Sequence, residues 1–217
     1  GCGPLTSAMC MDKNITKKML RDSGIPTADW TIARSIEDID YDKIEEMGYP
    51  VFIKPNSGGS SVATFKVECR EDVEDAVRAG LEVDDIVMIE AYLPGDEYTS
   101  FVLDGEVYPT IKISSPTGFF DFESKYSTGA NAAKEEVVYL EKDLQDQINK
   151  ASKAVWDTFY CRAYVRADFI LSNGTFYVLE LNTLPGMTPT SLIPRSANAK
   201  GLSYSELVDK IMETSLK

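Results

Sequence analysis

The chain contains 217 residues, of which 43% are hydrophobic and 26% charged, a composition typical of globular domains rather than disordered segments. Its formal net charge of −13 disfavours nonspecific binding to nucleic acid or to an anionic membrane. The chain has no histidine, which excludes histidine-based acid–base or nucleophilic catalysis and metal sites that require imidazole. Proton transfer or metal binding must therefore use carboxylates, amides, amines, hydroxyls or thiols.

The four cysteines, Cys2, Cys10, Cys69 and Cys161, form no Cys-x-x-Cys pair. A chain of this length does not need disulfides to be stable, so free thiols in a reducing compartment are expected. The apolar runs are too short to span a bilayer, and the first residues lack the pattern of a signal peptide. We therefore expect a cytoplasmic protein with neither a nucleic-acid nor a membrane partner.

The first half of the chain alternates between helical and strand patterns. Apolar spacing, followed by the breakers Gly24 and Pro26, predicts a helix over 12–23 with Ile15, Met19 and Leu20 facing inward. The further elements predicted in this half are a strand over 28–34, a helix over 40–47, strands over 51–54 and 62–67, a helix over 71–81 and a strand over 86–92.

The pattern changes after the turn at Pro94-Gly95. Asp104-Gly105 lies between two alternating segments and is a strong hairpin signal. The composition of residues 115–136 predicts a long mobile loop. The remaining predicted elements are a helix with an apolar stripe from Leu144 to Phe159, strands over 164–171 and 175–182, and a helix that begins at the capping box Ser203–Glu206. We predict an α+β fold of two lobes, 1–94 and 95–217, with mostly antiparallel strands.

Charged side chains interrupt the two apolar strands that flank Gly174. Arg166 and Asp168 share one face of the first strand, and Glu180 and Asn182 share one face of the second. Charges inside such strands are costly unless they bind an ion or one another. Carboxylate and amide oxygens suit Mg²⁺ that is shared with ligand phosphates. A metal site is therefore favoured over the alternative, a cross-strand network of arginine and carboxylates.

The metal-site hypothesis makes a demand on the strand register. Asp168 lies opposite Glu180 only if paired residue numbers add up to 348, which centres the turn on Gly174. A two-residue turn at Asn173-Gly174 would instead place Asp168 opposite Leu179, on the wrong face. We therefore predict either a three-residue turn, with Gly174 at positive φ, or a β-bulge.

Three loops carry groups that could bind a ligand, and each has a plain structural alternative. Residues 54–61 offer an ammonium, hydroxyls and backbone N–H groups to a phosphate, although alone they are more typical of a flexible turn and contain no Walker motif. Residues 183–194 are stiffened by three prolines and could direct Ser191 at a carboxylate, or only connect two elements. Residues 90–97 could offer backbone groups to an adenine and Glu97 to ribose, or form a linker.

Together and in this order, the segments resemble the ATP-grasp superfamily, and within it the D-alanine–D-alanine ligases. The resemblance covers essentially the whole chain. The Glu-x-Asn-Thr-x-Pro-Gly-Met-Thr pattern at 180–188 is specific to this ligase group, whereas the lysine and Gly/Ser loop signals are common to ATP-grasp proteins. The other matching segments are Met11-Asp12-Lys13, Gly24-Ile25-Pro26, Ile53-Lys54-Pro55, Gly59-Ser60-Ser61-Val62, Lys125-Tyr126, Arg166-Ala167-Asp168 and Ser191-Leu192.

The resemblance implies an ATP-dependent carboxylate–amine ligase that serves peptidoglycan precursor synthesis. ATP would phosphorylate one D-alanine carboxylate, and the amine of a second D-alanine would attack the acyl phosphate. The alternatives are a D-alanine–D-lactate or D-alanine–D-serine ligase, another ATP-grasp carboxylate–amine ligase, or a nucleotide-binding module that is inactive alone. A site without histidine agrees with this chemistry, because phosphoryl transfer depends on cations and positioning more than on a base.

The resemblance also implies a role for individual residues. ATP would be held by Lys13 and Lys54 at its phosphates, by the loop residues Ser60 and Ser61 above them, and by Glu90, Leu93 and Glu97 at adenosine. Two Mg²⁺ ions, or Mn²⁺ in their place, would be held by Asp168, Glu180 and Asn182. The reaction would use Lys125 at the transferred phosphate with Tyr126 beside it, Arg166 and the Gly186 N–H at the oxyanion, and Ser191 with Leu192 at the carboxylate of the second substrate.

Three departures from the family pattern bear on activity. The family carries a further lobe before the Met-Asp-Lys segment, so the chain is expected to be the central and C-terminal lobes of a longer ligase. A homodimer is one possible state of that full-length enzyme. Ala63 stands where the family usually has glycine. Residues 127–138 lack the Pro-Ala that usually closes the mobile loop, which leaves the identity of the second substrate open.

Overall fold

The computed structural model of the chain describes residues 1–59, 63–114 and 134–217. The strands are β1 (Trp30–Ala33), β2 (Val51–Pro55), β3 (Phe65–Val67), β4 (Val87–Ala91), β5 (Asp96–Leu103), β6 (Glu106–Val107), β7 (Ile111–Ser114), β8 (Lys134–Val137), β9 (Tyr164–Ser172) and β10 (Thr175–Asn182). The helices are α1 (Pro4–Met11), α2 (Lys13–Asp22), α3 (Tyr41–Met47), α4 (Val73–Leu81), α5 (Lys142–Thr158), α6 (Leu192–Ala199) and α7 (Tyr204–Ser215), with short 3₁₀ helices at Ile36–Asp38 and Arg70–Asp72.

The strands form two sheets, and every recorded pairing between them is antiparallel, which confirms the predicted α+β class. The four-stranded sheet has the order β1-β4-β2-β3. The six-stranded sheet has the order β10-β9-β5-β7-β8, and β6 pairs with β5. None of the helices within the described ranges has the length and apolar character that crossing a bilayer requires.

The four-stranded sheet buries one face under α3 and α4. Alternation along β2 directs Val51 and Ile53 into this core, where neither is exposed to solvent. Val73 and Val77 of α4, one helical turn apart, complete the same cluster. The sheet ends at Ala91, at the connection that leads into β5.

The six-stranded sheet is covered on both faces. One face packs against α5 and also against α1 and α2, through residues such as Ile148, Leu20 and Phe169. The other face packs against α6 and α7, through residues such as Phe101 and Ile193. Although α1 and α2 precede the four-stranded sheet in the chain, they pack on the six-stranded one, so the division into lobes at residue 94 stays a prediction.

The charged residues of β9 lie on the α6 side of this sheet. Val165, Ala167 and Phe169 face the α5 core, so the alternation of the strand places Arg166 and Asp168 on the opposite face. That face is covered by α6 only in part, because the side chain of Arg166 keeps 17% of its surface exposed. The sheet therefore presents its charges at a partly open surface.

Most predicted elements are present with slightly different bounds, but two predictions were wrong. Ile15 is 42% exposed, whereas Lys17 of the same helix is 1% exposed, so the inward face of α2 is more polar than the apolar spacing predicted. Residues 134–137 form β8 at the edge of the sheet and not part of a loop. The rest of that predicted loop, residues 115–133, and the start of the predicted strand at Val62 lie outside the described residues.

The β9–β10 connection is a two-residue turn. Thr175 pairs with Ser172, and the intervening Asn173 and Gly174 have φ values of 49° and 77°. Positive φ at both central residues is the type I′ geometry that matches the twist of a hairpin. Of the two alternatives predicted from the sequence, the chain does not adopt the three-residue turn, and the positive φ of Gly174 is confirmed.

The predicted alternative, a β-bulge, is confirmed. The register shifts by one residue between Val178 and Glu180, so that Leu179 is the extra residue and Glu180 lies opposite Asp168. The hydrophobic pattern drives this insertion, because without it the register of the turn would direct Glu180 toward the α5 core. The bulge thus places the two carboxylates on the same face of the sheet.

Candidate functional site

Four polar side chains meet on the α6 face of β9 and β10, and we call them the carboxylate cluster: Arg166, Asp168, Glu180 and Asn182. Arg166 binds Asp168 in a bidentate manner, with Nε 2.9 Å from Oδ1 and Nη2 2.7 Å from Oδ2. The Nδ2 group of Asn182 donates to Asp168 Oδ2 at 2.9 Å and to Glu180 Oε1 at 3.3 Å. One amide therefore bridges the two carboxylates.

Asp168 is the most constrained member of the carboxylate cluster. It is 5% exposed, and Thr99 Oγ1 on the neighbouring β5 strand donates to its Oδ1 at 2.5 Å. Burial alone would lower the pKa of Arg166, but the Asp168 carboxylate raises it above its ordinary value. The guanidinium therefore stays charged beside the Asp168 carboxylate.

The chemistry of the cluster fits a Mg²⁺ site completed by a ligand. Mg²⁺ is usually bound through one or two carboxylates together with substrate phosphates, rather than by a cage of protein ligands. Over residues 1–59, 63–114 and 134–217, no three His, Cys, Asp or Glu side chains form a group that could hold a metal. Asp168 and Glu180 supply two carboxylates, and Asn182 would supply the third oxygen once its amide turns so that Oδ1 replaces the Nδ2 group that now faces them.

A second charged group lies where the four-stranded sheet meets α2, and we call it the lysine cluster: Lys13, Lys17, Lys54 and Glu90. The Nζ atoms of Lys17 and Lys54 lie 2.5 Å and 2.6 Å from the two carboxylate oxygens of Glu90. Burial alone would raise the pKa of Glu90, but the two ammonium groups lower it to about 2. A single buried carboxylate thus holds two cations in place.

Lys13 connects the two clusters. Its ammonium donates to the carbonyl oxygens of Gly58 and Asn56, at the start of the Gly/Ser loop. Burial, followed by the charge of Lys54, lowers the pKa of Lys13, while the carboxylates of Glu180 and Glu90 oppose this shift. Because Glu180 belongs to β10 and Lys54 to β2, the ammonium of Lys13 lies within electrostatic reach of both sheets.

The loop after β10 brings Gly186 close to Ser191, and the helix that follows it brings Leu192 beside Arg166. Ser191 is the N-cap residue of α6, and its Oγ accepts a hydrogen bond from Thr188 N at 3.1 Å. A Cβ atom at Gly186 would lie 3.2 Å from Ser191 Oγ, so the Gly186 backbone closely approaches this hydroxyl. Leu192 lines the pocket that also contains Arg166.

Comparison with known proteins identifies the family. The family model for the D-Ala–D-Ala ligase C-terminus matches residues 19–213. D-alanine–D-alanine ligase B of Clostridium perfringens is 50% identical over 217 residues, which are 100% of this chain and 71% of the relative. The chain belongs to the D-alanine–D-alanine ligase family. The ATP-dependent ligase class predicted from the sequence is therefore confirmed.

Solved structures of D-alanine–D-alanine ligases have the same fold. The ligase of Bacillus anthracis superposes with a TM-score of 0.89 at 42% identity, covering 99% of this chain and 70% of that one. The same enzyme complexed with ATP has a TM-score of 0.87 at 39% identity, covering 99% of this chain and 69% of that one. The VanG D-Ala:D-Ser ligase of Enterococcus faecalis has a TM-score of 0.86 at 27% identity, covering 98% and 64%.

Several predicted site residues of this D-alanine–D-alanine ligase family member remain untested. Ser60, Ser61, Lys125 and Tyr126 lie outside the described residues. Ala63, where the family usually has glycine, adopts a φ of +52°, the left-handed conformation that glycine adopts without strain.

The adenosine-binding residues implied by the ligase resemblance also stay predictions. Leu93 and Glu97 are half-buried at the connection between β4 and β5, and Glu97 contributes to the field at Arg166. Glu90 lies at the end of β4, but its carboxylate contacts the two lysines. The structure shows Glu90 as the partner of Lys17 and Lys54, and its contact with adenosine stays a prediction.

The sequence analysis missed Lys17 and Thr99, and it also missed Thr27, whose Oγ1 accepts a hydrogen bond from Lys17 at 2.7 Å. Thr99 is the β5 partner of Asp168, a position that only the strand order reveals. Lys17 lies four residues after Lys13, so the two lysines share one face of α2. This spacing was a signal available in the sequence, although a lysine on a helix is ordinarily solvated.

Proposed function

We propose that the lysine cluster and the carboxylate cluster together form the phosphoryl-transfer site at which ATP activates a D-alanine carboxylate for joining to a second D-alanine. The observation that carries this proposal is the presence of the two clusters in one chain: Glu90 holds two lysine ammonium groups at 2.5 Å and 2.6 Å, and the Asn182 amide bridges two carboxylates. The charges of Glu180 and Glu90 both act on the ammonium of Lys13, which supports placing the clusters in one site. Cations for phosphates and oxygen ligands for a metal are thereby close to one another, as phosphoryl transfer requires.

The lysines would act by holding phosphate oxygens. Lys54 is fixed by Glu90 and its side chain keeps 17% of its surface exposed, so its ammonium can accept an anion without losing its anchor. Burial weakens the hold of Lys13 on its proton, and a phosphate would restore it by adding negative charge. Their contribution is electrostatic and positional, and neither residue needs to transfer a proton.

Asp168, Glu180 and Asn182 would hold Mg²⁺ in this proposal, and Mn²⁺ in its place. The metal, when bound, neutralises charge on the phosphates and orients them. The protein contributes a fixed geometry, because Arg166 and Thr99 hold the Asp168 carboxylate and Asn182 spans it and Glu180. The proposal is of two ions at this site.

Arg166, the Gly186 N–H, Ser191 and Leu192 would handle the substrates. The neutral amine of the second D-alanine attacks the carbonyl carbon of the acyl phosphate, and an oxyanion develops. Its collapse breaks the C–O bond to phosphate, and the leaving phosphate can take the proton that the nitrogen loses as the peptide bond forms. Arg166 faces the pocket beside Leu192, which favours its guanidinium as the group that stabilises the oxyanion. Ser191 is adjacent to the Gly186 backbone, which would bring the second carboxylate close to the oxyanion donors.

The proposal is tested by ADP release from ATP and Mg²⁺, with and without D-alanine. The assay should use this chain and the longest reading frame that contains it, because the chain spans 71% of its relative from Clostridium perfringens. D-alanine-dependent ADP release is the expected result. An absence of both ADP release and ATP binding in the longer protein would contradict the proposal, whereas ATP binding without turnover would favour the alternative of an inactive nucleotide-binding module.

Asn182→Ala should lower the D-alanine-dependent rate at least about 100-fold, because a proposed metal ligand is lost with the bridge between the carboxylates. Asn149→Ala is the matched control. Asn149 lies on α5, where its side chain accepts a hydrogen bond from Gln145, and its loss should leave the rate unchanged. Equal rates for Asn182→Ala and the unmodified chain would contradict the metal assignment.

A panel of acceptors tests the second substrate. The relatives that are 50% identical favour D-alanine, whereas the structural similarity to a D-Ala:D-Ser ligase makes D-serine the best competitor. The panel therefore contains D-alanine, D-serine and D-lactate, and D-alanine is expected to give the highest rate. The cytoplasmic location, which the four free cysteines support, and a homodimer also stay proposals.

A further inference from the structure

A chain of hydrogen bonds connects the lysine cluster to the bulge of β10. The ammonium of Lys17 donates to Glu90 Oε1 at 2.5 Å and to Thr27 Oγ1 at 2.7 Å. Thr27 Oγ1 in turn donates to the carbonyl oxygen of Val178 at 2.9 Å. Glu90 belongs to β4 and Val178 to β10, so these bonds link the four-stranded sheet to the six-stranded one.

The direction of each bond follows from the donors available. An ammonium has only donors, so the Thr27 hydroxyl must accept from Lys17. The single hydroxyl hydrogen is then free to point only at Val178, whose carbonyl can only accept. Because Lys17 is 1% exposed, water does not compete for its ammonium, and the orientation of the hydroxyl is fixed.

The same segment holds Val178 from its other backbone group as well. Val178 N donates to the carbonyl oxygen of Pro26 at 2.8 Å. β10 is an edge strand of its sheet, so Pro26 and Thr27 supply partners on the side where β9 does not. Both backbone groups of Val178 are thus satisfied by two consecutive residues that lie outside the sheet.

Val178 is the last residue in register before the bulge. The register shift between Val178 and Glu180 decides which face Glu180 and Asn182 occupy. A slip of one residue at this point would direct both side chains away from Asp168. The hydrogen bonds that Pro26 and Thr27 form with Val178 therefore act at the position of β10 where the register is decided.

We infer that Thr27 is a positioning residue, which Lys17 orients and which locks the β10 bulge so that Glu180 and Asn182 meet Asp168. This inference rests on the proposed function of the carboxylate cluster as a metal site. Thr27 touches neither nucleotide nor metal in this arrangement and acts through the Val178 backbone. Glu90 also accepts a hydrogen bond from Lys54, so the same set of bonds links the lysine cluster to the carboxylate cluster.

Thr27→Val tests the inference, because valine keeps the shape of threonine and removes only the hydroxyl. The full chain is titrated with Mn²⁺ in the presence of a nonhydrolysable ATP analogue, and binding is followed by electron paramagnetic resonance. We expect the affinity for Mn²⁺ to fall about 10-fold, the size of effect typical of residues that orient metal ligands. Thr27→Ser restores the hydroxyl and should return the affinity to within about 2-fold of the unmodified chain.

Thr6→Val is the matched control. Thr6 Oγ1 donates to the carbonyl oxygen of Phe159 at 2.8 Å, so this variant loses the same kind of bond at a buried position whose partner lies at the end of α5 and not on β10. It should lower the melting temperature without changing the affinity for Mn²⁺. If Thr27→Val lowers the melting temperature but leaves the affinity unchanged, as Thr6→Val does, Thr27 is only structural and the inference is overturned.

The unmodified chain separates this inference from the proposed function. If it binds Mn²⁺ with the ATP analogue and Thr27→Val binds equally well, only the inference fails. If the unmodified chain binds no Mn²⁺ at all, the metal site itself is contradicted, and the inference falls with it. If Thr27→Val binds Mn²⁺ more weakly and Thr27→Ser restores the affinity, the result supports both the inference and the proposed metal site.

Discussion

The lysine cluster and the carboxylate cluster are built on opposite principles. Around Glu90, one carboxylate is shared by two ammonium groups, which leaves an excess of positive charge. Around Asp168, one guanidinium neutralises one of two carboxylates, which leaves an excess of negative charge. Each cluster is only partly neutralised by the protein, so each suits an external ion of the opposite sign, a phosphate in one case and a metal cation in the other.

The two clusters also differ in what their carboxylates hold together. Glu90 is 3% exposed and contacts a lysine from α2 and another from β2, so it ties a helix to a sheet. Glu180 is half-buried and accepts a hydrogen bond from Asn182 of its own strand. Glu90 therefore serves the fold, whereas no comparable contact ties Glu180 to a second element among the described residues, as expected if it is placed for the proposed metal.

The largest expected effect is the loss of stability on Glu90→Gln. Removing one partner from a buried ion pair leaves uncompensated buried charge, which costs about 3–5 kcal/mol. Urea denaturation at neutral pH measures the free energy of unfolding. Glu74→Gln is the control, because Glu74 pairs with Arg78 at an exposed position on α4 and should contribute less than about 0.5 kcal/mol. Equal losses in the two variants would contradict the structural role of Glu90.

Acid should remove the same contribution. The pKa of Glu90 is lowered from 4.5 to about 2 in the folded chain, so its carboxylate stabilises the fold above about pH 4.5 and loses this effect as the pH falls toward 2. Such a shift corresponds to about 3 kcal/mol. We expect the difference in unfolding free energy between the unmodified chain and Glu90→Gln to be constant from about pH 5 to 7 and to shrink below about pH 4.5. A difference that does not change with pH would contradict this.

The carboxylate cluster could be predicted largely from the sequence. Alternation along two strands placed Asp168 and Glu180 on defined faces, and the requirement that they meet predicted a bulge as one of two solutions. The two-residue turn at Asn173-Gly174 then left the bulge as the solution that the chain adopts. Local pattern sufficed here because both strands are neighbours in the chain.

The lysine cluster could be predicted only in part. Lys13 and Lys54 stood in recognisable motifs, but Lys17 did not, because nothing local indicates that a lysine on a helix meets a buried glutamate 73 residues away. The exposure of Ile15 has the same cause, since α2 packs Lys17 and Leu20 inward instead. Tertiary pairing of charges overrode the apolar period that the sequence analysis used.

The smallest expected effect is the stability change on Glu180→Gln, and it sharpens the comparison with Glu90. Replacing Glu180 by its amide removes charge from a cluster that already has an excess of carboxylates, so the free energy of unfolding should change by less than about 1 kcal/mol, in either direction. The affinity for Mn²⁺ should nevertheless fall more than about 10-fold in the titration described for Thr27→Val.

The two measurements on Glu180→Gln must diverge if Glu180 is placed for a ligand. A loss of stability as large as that of Glu90→Gln, together with unchanged binding of Mn²⁺, would make Glu180 a second structural carboxylate. The contrast between the clusters would then disappear. If the variant keeps its stability and loses affinity for Mn²⁺, Glu180 is assigned to ligand binding, because its carboxylate then contributes to the metal site and little to the fold.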